Sequence, residues 1–467
     1  MTVLGTTLDP RDPAYLEGRG TTLQWLGDLE KALDEARAGG GEKWVTRHHA
    51  RGKLMPRERI EMLLDQDSPF LELSPAAARG SEFPVGASVV TGIGVVEGVE
   101  CVVIANDPTV EGGAVNPYTA EKIRRAAWIS SVNRLPLINL VESAGGPAPA
   151  GSIARELSRL TADRVPTVCV VFGATSGDAA YLPALSDYTI MVRGHAKVLT
   201  IHPQPVHGAA NGRSGVEVRA TPVVPAAGPS GPADQLAEDE RDGLRLARQC
   251  VRRFNWRKLG PYPRTVRPAE PRFGAEGLLS LAAADPAGFD PREVLARMLD
   301  DSDFDEFKPG QGSGLVAGWG ELHGYPLGVL ASPGGWLSQV ETQKAVHFLQ
   351  LANATATPLL FLLHTGPVTA EERDAADVRH DAPLVHAVAK STVPHLVLTI
   401  GPDPGRTRVR ADEPRFQFSW PRPTADPAAD DDGVIDPRDT RTVLGLCLSA
   451  VHSAAVAGAE HVGVFRP

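Results

Sequence analysis

Short apolar runs recur along this chain at two spacings, and each spacing predicts a kind of element. The runs "ECVVIAND" (100–107) and "YPLGVLAS" (325–332) are dense in aliphatic residues and open onto glycine turns, which predicts strands. "PLINLVES" (136–143) and "PLLFLLHT" (358–365) are apolar almost throughout, the pattern of buried strands. Residues 117–134 and 340–356 carry apolar positions at helical spacing. The stretch "DERDGLRLARQCVRRFNW" (239–256) predicts an amphipathic helix that closes the first half of the chain. Strands and helices alternating in this way predict an α/β layered core with parallel pairing. Two breaker-rich stretches interrupt the pattern. Residues 202–235 read as a loop or insertion, and "PRPTADPAADDD" (421–432) as a second one.

The pattern occurs twice. "VTGIGVVEG" (90–98) and "VAGWGELHG" (316–324) share V-x-G-x-G-x-x-x-G. "EKIRRAAWISSVNRLPLINL" (121–140) matches "QKAVHFLQLANATATPLLFL" (343–362), with Lys and Pro 14 apart in both. "VPTVCVVFGATSGD" (165–178) matches "VPHLVLTIGPDPGR" (393–406). Three blocks in one order, at offsets of 226, 222 and 228, imply two homologous halves. The expected division is an N-terminal extension (1–40), a first domain (41–262) and a second (263–467), with the boundary between the halves near 257–285.

Composition narrows the function classes. With 467 residues the chain is long enough for two or three domains with real cores. A net charge of −10 argues against a general nucleic-acid binder. The four cysteines, Cys101, Cys169, Cys250 and Cys447, lie far apart and read as buried free thiols. No apolar run approaches a membrane span and the first residues lack a signal pattern, so the expected location is cytoplasmic, with no membrane partner. No H-E-x-x-H or paired-Cys spacing predicts a metal site. No G-x-G-x-x-G leads a strand into a helix, and Ser176 lacks a G-x-S-x-G setting. His48 and His49 read as solvent-facing or interfacial.

The most informative turn is "VCVVFGATSGDAAYLPALSD" (168–187), where a buried run breaks at Gly173 into small residues around one carboxylate, Asp178. Small residues after a buried strand mark a place where something must approach the backbone closely.

Several strings together resemble the carboxyltransferase (β) subunits of biotin-dependent acyl-CoA carboxylases, especially the methylcrotonyl-CoA type. They are "RGKLMPRERIEMLLD" (51–65), "GIGVVEGVECVVIANDPTVEGG" (92–113), "AAYLPALSD" (179–187), "EFKPGQGSGLVAGW" (306–319), "GVIDPRDTRTVLGLCLSA" (433–450) and the ending "GVFRP". The resemblance implies a crotonase-like fold of two homologous spiral ββα domains. It also implies a homo-oligomer, from dimer to hexamer, with sites where the first domain of one subunit meets the second domain of its partner. The implied reaction moves a carboxyl group from carboxybiotin, delivered by a biotinylated α subunit, to the α-carbon of an acyl-CoA. No biotin-carrying lysine setting is present, so no covalent cofactor is expected. Negative charge develops on the thioester enolate oxygen and on the biotin ureido oxygen, and backbone N–H donors would hold each.

On this resemblance the first oxyanion turn is Gly177, Asp178 and Ala179, and the second is Gly405 and Arg406. Gly145 and Gly146 of "ESAGG", together with Arg124, Arg125 and His364, are candidate contacts to CoA or biotin. The "RHHARGK" and "EKIRR" clusters are either a CoA-phosphate contact or solvated faces. For His364 a structural hydrogen bond stands against a catalytic role.

The sequence departs from the family pattern at both turns. Asp178 stands where a glycine is expected, and an ionised carboxylate about 4 Å from an enolate costs ~4 kcal/mol at an effective dielectric near 20. That is on the order of 1,000-fold in rate. The charge is harmless only if the side chain points away or is neutral. Around the second turn, "GPDPGRTRVRADEPRFQFSWP" (401–421) is shortened and carries Pro402 and Pro404, and "GPVTAEERD" (366–374) replaces a glycine-rich biotin-side stretch. Three functions follow: an acyl-CoA carboxyltransferase subunit; a non-catalytic paralogue docked on an intact β-type subunit; or a biotin-independent crotonase-fold enzyme with Asp178 as acid or base. By the repeat Asp178 stands opposite Arg406, so an ion pair between subunits is a further expectation.

Overall fold

The computed structural model describes residues 2–146, 152–205, 216–222, 233–265, 267–284, 289–332, 337–365, 375–401, 413–423 and 431–459. The chain divides into two units, Ala32–Arg257 and a second made of Met1–Lys31 with Lys258–Pro467. In chain order the strands are β1 (Thr2–Val3), β2 (Phe70–Leu73), β3 (Val89–Val96), β4 (Val99–Asn106), β5 (Leu137–Ser143), β6 (Thr167–Ser176), β7 (Tyr188–Val192), β8 (Lys197–Pro205), β9 (Val216–Pro222) and β10 (Gln235–Ala237). Six follow: β11 (Asp303–Glu306), β12 (Val316–Leu322), β13 (Tyr325–Ser332), β14 (Leu359–His364), β15 (His395–Ile400) and β16 (Phe416–Ser419).

The first unit holds one sheet in the order β10-β7-β6-β5-β4-β3-β2, with β8 on β6 and β9 on β8. The second holds β1-β11-β12-β13-β14-β15-β16. In each, an antiparallel hairpin (β3–β4, β12–β13) leads into parallel strands: β4, β5, β6 and β7 in one, β13, β14, β15 and β16 in the other. The repeat offsets read from the sequence also hold for strand register. Val102 pairs with Leu137 and Leu137 with Thr167; their counterparts Gly328 and Leu359, then Leu359 and His395, pair in the same way. The two halves therefore share topology and register.

Local chemistry repeats as well. Ahead of its hairpin each unit carries a helix with Pro at its first turn, Pro56–Leu63 and Pro291–Met298, where the missing N–H costs nothing. Just beyond each helix an aspartate grips the hairpin turn. Asp65 accepts from Glu97 N and Gly98 N at 2.8 and 2.7 Å; Asp300 accepts from His323 N and Gly324 N at 3.0 and 2.8 Å. Both turns place two residues at positive φ, which suits the right-handed twist of the flanking strands. Arg57 forks onto Glu72 in the first unit and Arg292 onto Glu306 in the second. The repeated helix lysines are both buried. Lys122 Nζ donates to Val89 O at 2.7 Å and Lys344 Nζ to Leu315 O at 2.7 Å, the matching carbonyl. Burial pushes the Lys122 ammonium down to about 8.

The helices expected at 117–134, 340–356 and 239–256 occur as Pro117–Asn133, Gln339–Ala354 and Glu240–Arg253. Asn116 and Ser338 cap the first two, each accepting from a backbone N–H three residues on. Ile138, Val168, Val170, Phe172, Leu244 and Cys250 belong to the core of the first unit; Phe348, Leu359, Phe361 and Leu384 belong to that of the second. All four cysteines are buried, and none forms a disulfide. Two expectations need correction. Within 202–235 the chain is not simply a loop: β8 and β9 pair antiparallel from Leu199↔Pro222 to Pro205↔Val216, because main-chain pairing needs few apolar side chains. His48 is buried rather than solvent-facing, its Nε2 3.2 Å from Leu54 O, whereas His49 stays exposed on Glu58 at 3.0 Å.

Candidate active site

The C-terminal ends of β5 and β6 lie side by side, and both run directly into glycine turns. After β5 come Ala144, Gly145 and Gly146; after β6 comes a 3-10 turn, Gly177–Tyr181, holding Asp178 and Ala179. Gly145 and Gly177 both have positive φ, +74° and +59°. A Cβ on Gly145 would lie 2.7 Å from Ser176 O, and one on Gly177 would lie 3.3 Å from Gly145 Cα. Two backbone turns thus touch with no side chain between them, and only glycine permits it. Hydrogen bonds fix this arrangement. Ser176 Oγ donates to Ala144 O at 2.5 Å, Ser143 Oγ to Gly113 O at 2.6 Å, and Val115 N to Gly145 O at 3.1 Å. Gly177 and Asp178 are half-buried and Ala179 is buried.

Below these turns lies a cluster of ions. Glu142, the penultimate residue of β5, pairs with Lys53 and with Arg59, the latter at 2.9 Å. Arg59 also forks onto Glu240, at 2.9 and 2.8 Å, and its guanidinium lies 4.3 Å from the Phe172 ring centroid. Lys53 Nζ donates to Phe172 O at 3.1 Å, and Glu240 accepts from Leu54 N at 3.0 Å. Two cations face two anions, so the buried group is neutral overall, as burial requires. Burial alone would raise the Glu142 carboxyl, but Arg59 and Lys53 outweigh it and hold it below its ordinary value. Burial, then Arg59, pushes the neighbouring His48 below its usual range, which favours its neutral form.

The family description "Carboxyl transferase domain" matches residues 47–407, most of the chain. The chain is 44% identical to the probable biotin-dependent acyl-coenzyme A carboxylase beta2 subunit of Mycobacterium tuberculosis, over 99% of this chain and 100% of that one.

This chain belongs to the carboxyl transferase domain family.

It is also 31% identical to the mitochondrial methylcrotonoyl-CoA carboxylase beta chain of Dictyostelium discoideum, over 99% of this chain and 91% of the relative. Among solved structures it resembles the geranyl-CoA carboxylase beta subunit of P. aeruginosa, with TM-score 0.81, 28% identity, and coverage of 99% and 100%. The two-domain crotonase-like fold is therefore shared with that beta subunit. The first of these alignments runs over 531 positions where the chain has 467 residues, so that relative carries segments this chain lacks.

Within the carboxyl transferase domain the described candidates separate into three groups. Gly145 and Gly146 meet the Gly177–Ala179 turn, as described. Arg124 and Arg125 lie on the helix Pro117–Asn133, Arg124 paired with Glu121 and Arg125 4.6 Å from the Trp128 ring centroid. His364 ends β14 in the other unit, its Nε2 3.0 Å from Ala284 O and its ring 4.5 Å from that of Phe289. Gly405 and Arg406 fall outside the described residues, as do 366–374 and the prolines of 402–404. Of the "RHHARGK" cluster, Lys53 and His48 are buried, while Arg47, His49 and Arg51 are exposed. Lys53 is buried in the ion cluster, paired with Glu142. That cluster was missed in the sequence, although Glu142 gave a signal: it is the first charge after the five apolar or amide residues that open a buried strand.

Proposed function

We propose that this chain is the carboxyltransferase subunit of an acyl-CoA carboxylase, moving a carboxyl group from carboxybiotin on a separate subunit to the α-carbon of an acyl thioester. Support comes above all from one observation, the side-chain-free contact between Gly145 and Ser176–Gly177 at the ends of two parallel strands. Backbone amides at such a turn can approach a thioester oxygen closely, and fixed dipoles there stabilise developing enolate charge without reorganising. Gly177, Asp178 and Ala179 would hold one oxyanion and Gly405 with Arg406 the other. Gly145, Gly146, Arg124, Arg125 and His364 would line the CoA and biotin sides. The Mycobacterium tuberculosis relative is by name a beta2 subunit of a biotin-dependent acyl-coenzyme A carboxylase, which supports work with a biotinylated partner subunit; a homo-oligomer is part of the same reading.

A second reading, a non-catalytic subunit beside an intact β-type paralogue, draws on Asp178 in the donor turn. One experiment separates the two. The chain is combined with its biotinylated partner and assayed for fixation of labelled bicarbonate into propionyl-CoA, 3-methylcrotonyl-CoA and longer acyl-CoAs. Carboxylation by the wild type supports the first reading. Asp178→Gly, which removes a repelling charge, should then raise the rate. No fixation by either protein, with co-purification of an intact β-type subunit, would replace the first reading by the second.

A further inference from the structure

We infer that the buried ions Lys53, Arg59, Glu142 and Glu240 form a positioning device for the Ser176–Ala179 turn, with Glu142 acting on the reaction through that turn. The effect on rate rests on the carboxyltransferase reading above; the effect on the turn does not.

The geometry ties one carboxylate to both strand ends. Glu142 stands three residues before Gly145, which presses on Ser176 and Gly177. The same carboxylate fills the space above Gly173, where any Cβ would collide with it. Lys53, ion-paired to Glu142, also donates to Phe172 O at 3.1 Å, the residue before Gly173. The ends of β5 and β6 are thus clamped immediately before both glycine turns. Arg59 passes the clamp to the helix Pro56–Leu63 on which it stands, and through Glu240 to the helix Glu240–Arg253.

The fold does not need these charges. In the second unit the position of Arg59 is taken by Val294 and that of Glu142 by His364, and the same sheet and register form. A buried ion cluster is weak as a source of stability and strong as a source of fixed geometry, because each charge tolerates few positions. Its presence under one turn, on a frame that closes without it, assigns it to the turn.

The test compares the wild type with Lys53→Gln/Glu142→Gln, which removes one charge of each sign and leaves the Arg59–Glu240 fork balanced. Glu72→Gln serves as control, since it breaks the Arg57 fork on a strand remote from the turns. Amide hydrogen exchange is read in the assembled full-length protein. Exchange of the peptides spanning 143–146 and 173–179 should quicken about tenfold in the double variant and not in the control. The kcat per folded assembly should fall by up to about 100-fold, the cost of a misplacement near 1 Å, with KM for the acyl-CoA within about twofold. Unchanged exchange at the turns overturns the inference, whatever the activity. Quickened exchange with unchanged kcat overturns the catalytic half. If the wild type carboxylates nothing, the functional reading fails, and the exchange comparison still decides the positioning role.

Discussion

The two units present the same frame with different interiors. In both, a helix with Pro at its first turn is followed by an aspartate that grips a two-residue hairpin turn, and a buried helix lysine caps the carbonyl at the root of the hairpin. Where the parallel strands end, they diverge. The first unit places Arg59 and Glu142 at the positions that the second fills with Val294 and His364, and at the start of the next strand Thr167 stands where the second has His395. The frame is thus set by short-range hydrogen bonds and strand register, which survived duplication. The material under the strand ends differs between the units, and in the first it is ionic.

Arginine 59 should show the largest consequence. Arg59→Met leaves Glu142 and Glu240 with Lys53 alone, a net buried negative charge, and should cost about 3–5 kcal/mol. Val294→Met, the same substitution in the matching position, only adds volume to a packed site and should cost about 1–3 kcal/mol. Urea unfolding followed by exchange of peptides from each unit reports the two separately. Equal losses would mean that the ion cluster behaves as ordinary core.

Histidine 395 should make the second unit acid-sensitive. Burial, then Arg415, lowers its imidazole from 6.5 to about 4. Below about pH 4 both folded and unfolded states hold the proton; between that pH and 6.5 only the unfolded state does. Stability is therefore present above pH 6.5 and lost as pH falls to about 4, by about 3 kcal/mol at 1.36 kcal/mol per unit. His395→Thr, which installs the residue of the first unit, should flatten that slope. An unchanged difference between pH 6.5 and 4 would show that the ring is not buried neutral.

Much of the frame was legible in the sequence. The three repeat blocks gave the offsets that strand pairing then followed, because register in buried parallel strands is fixed by side chains that cannot face water. The Gly177 turn was legible too, since a glycine after a buried strand marks close approach. The Lys53–Glu142–Arg59–Glu240 cluster was not. Its members lie up to 187 positions apart, and periodicity reports which face a residue occupies rather than which charges meet. The repeat of the Pro-led helix, "PRERIEMLLD" against "PREVLARMLD", is less legible. Its offset differs from the other three, and its shared residues are recognisable only once the Asp65 and Asp300 grips are seen.

The smallest contrast lies in the hairpin turns, and it separates backbone strain from crowding. Gly98 and Gly324 are the second residues of equivalent turns, with φ of +74° and +75°. Alanine at either position must adopt a left-handed conformation, at a cost of roughly 1–2 kcal/mol. Their surroundings differ. A Cβ on Gly98 meets nothing within 4 Å, whereas one on Gly324 would lie 2.6 Å from Thr265 O. The segment before β11 crosses this turn, with Arg264 N donating to Gly324 O at 2.7 Å, so the obstacle is backbone and cannot simply rotate away. Gly98→Ala should therefore show the conformational cost alone, and Gly324→Ala should lose a further ~1–2 kcal/mol from overpacking. Thermal denaturation of the two variants measures the gap directly. Equal melting temperatures would show that the 263–265 segment yields to the added methyl, and the turns of the two units would then be energetically alike.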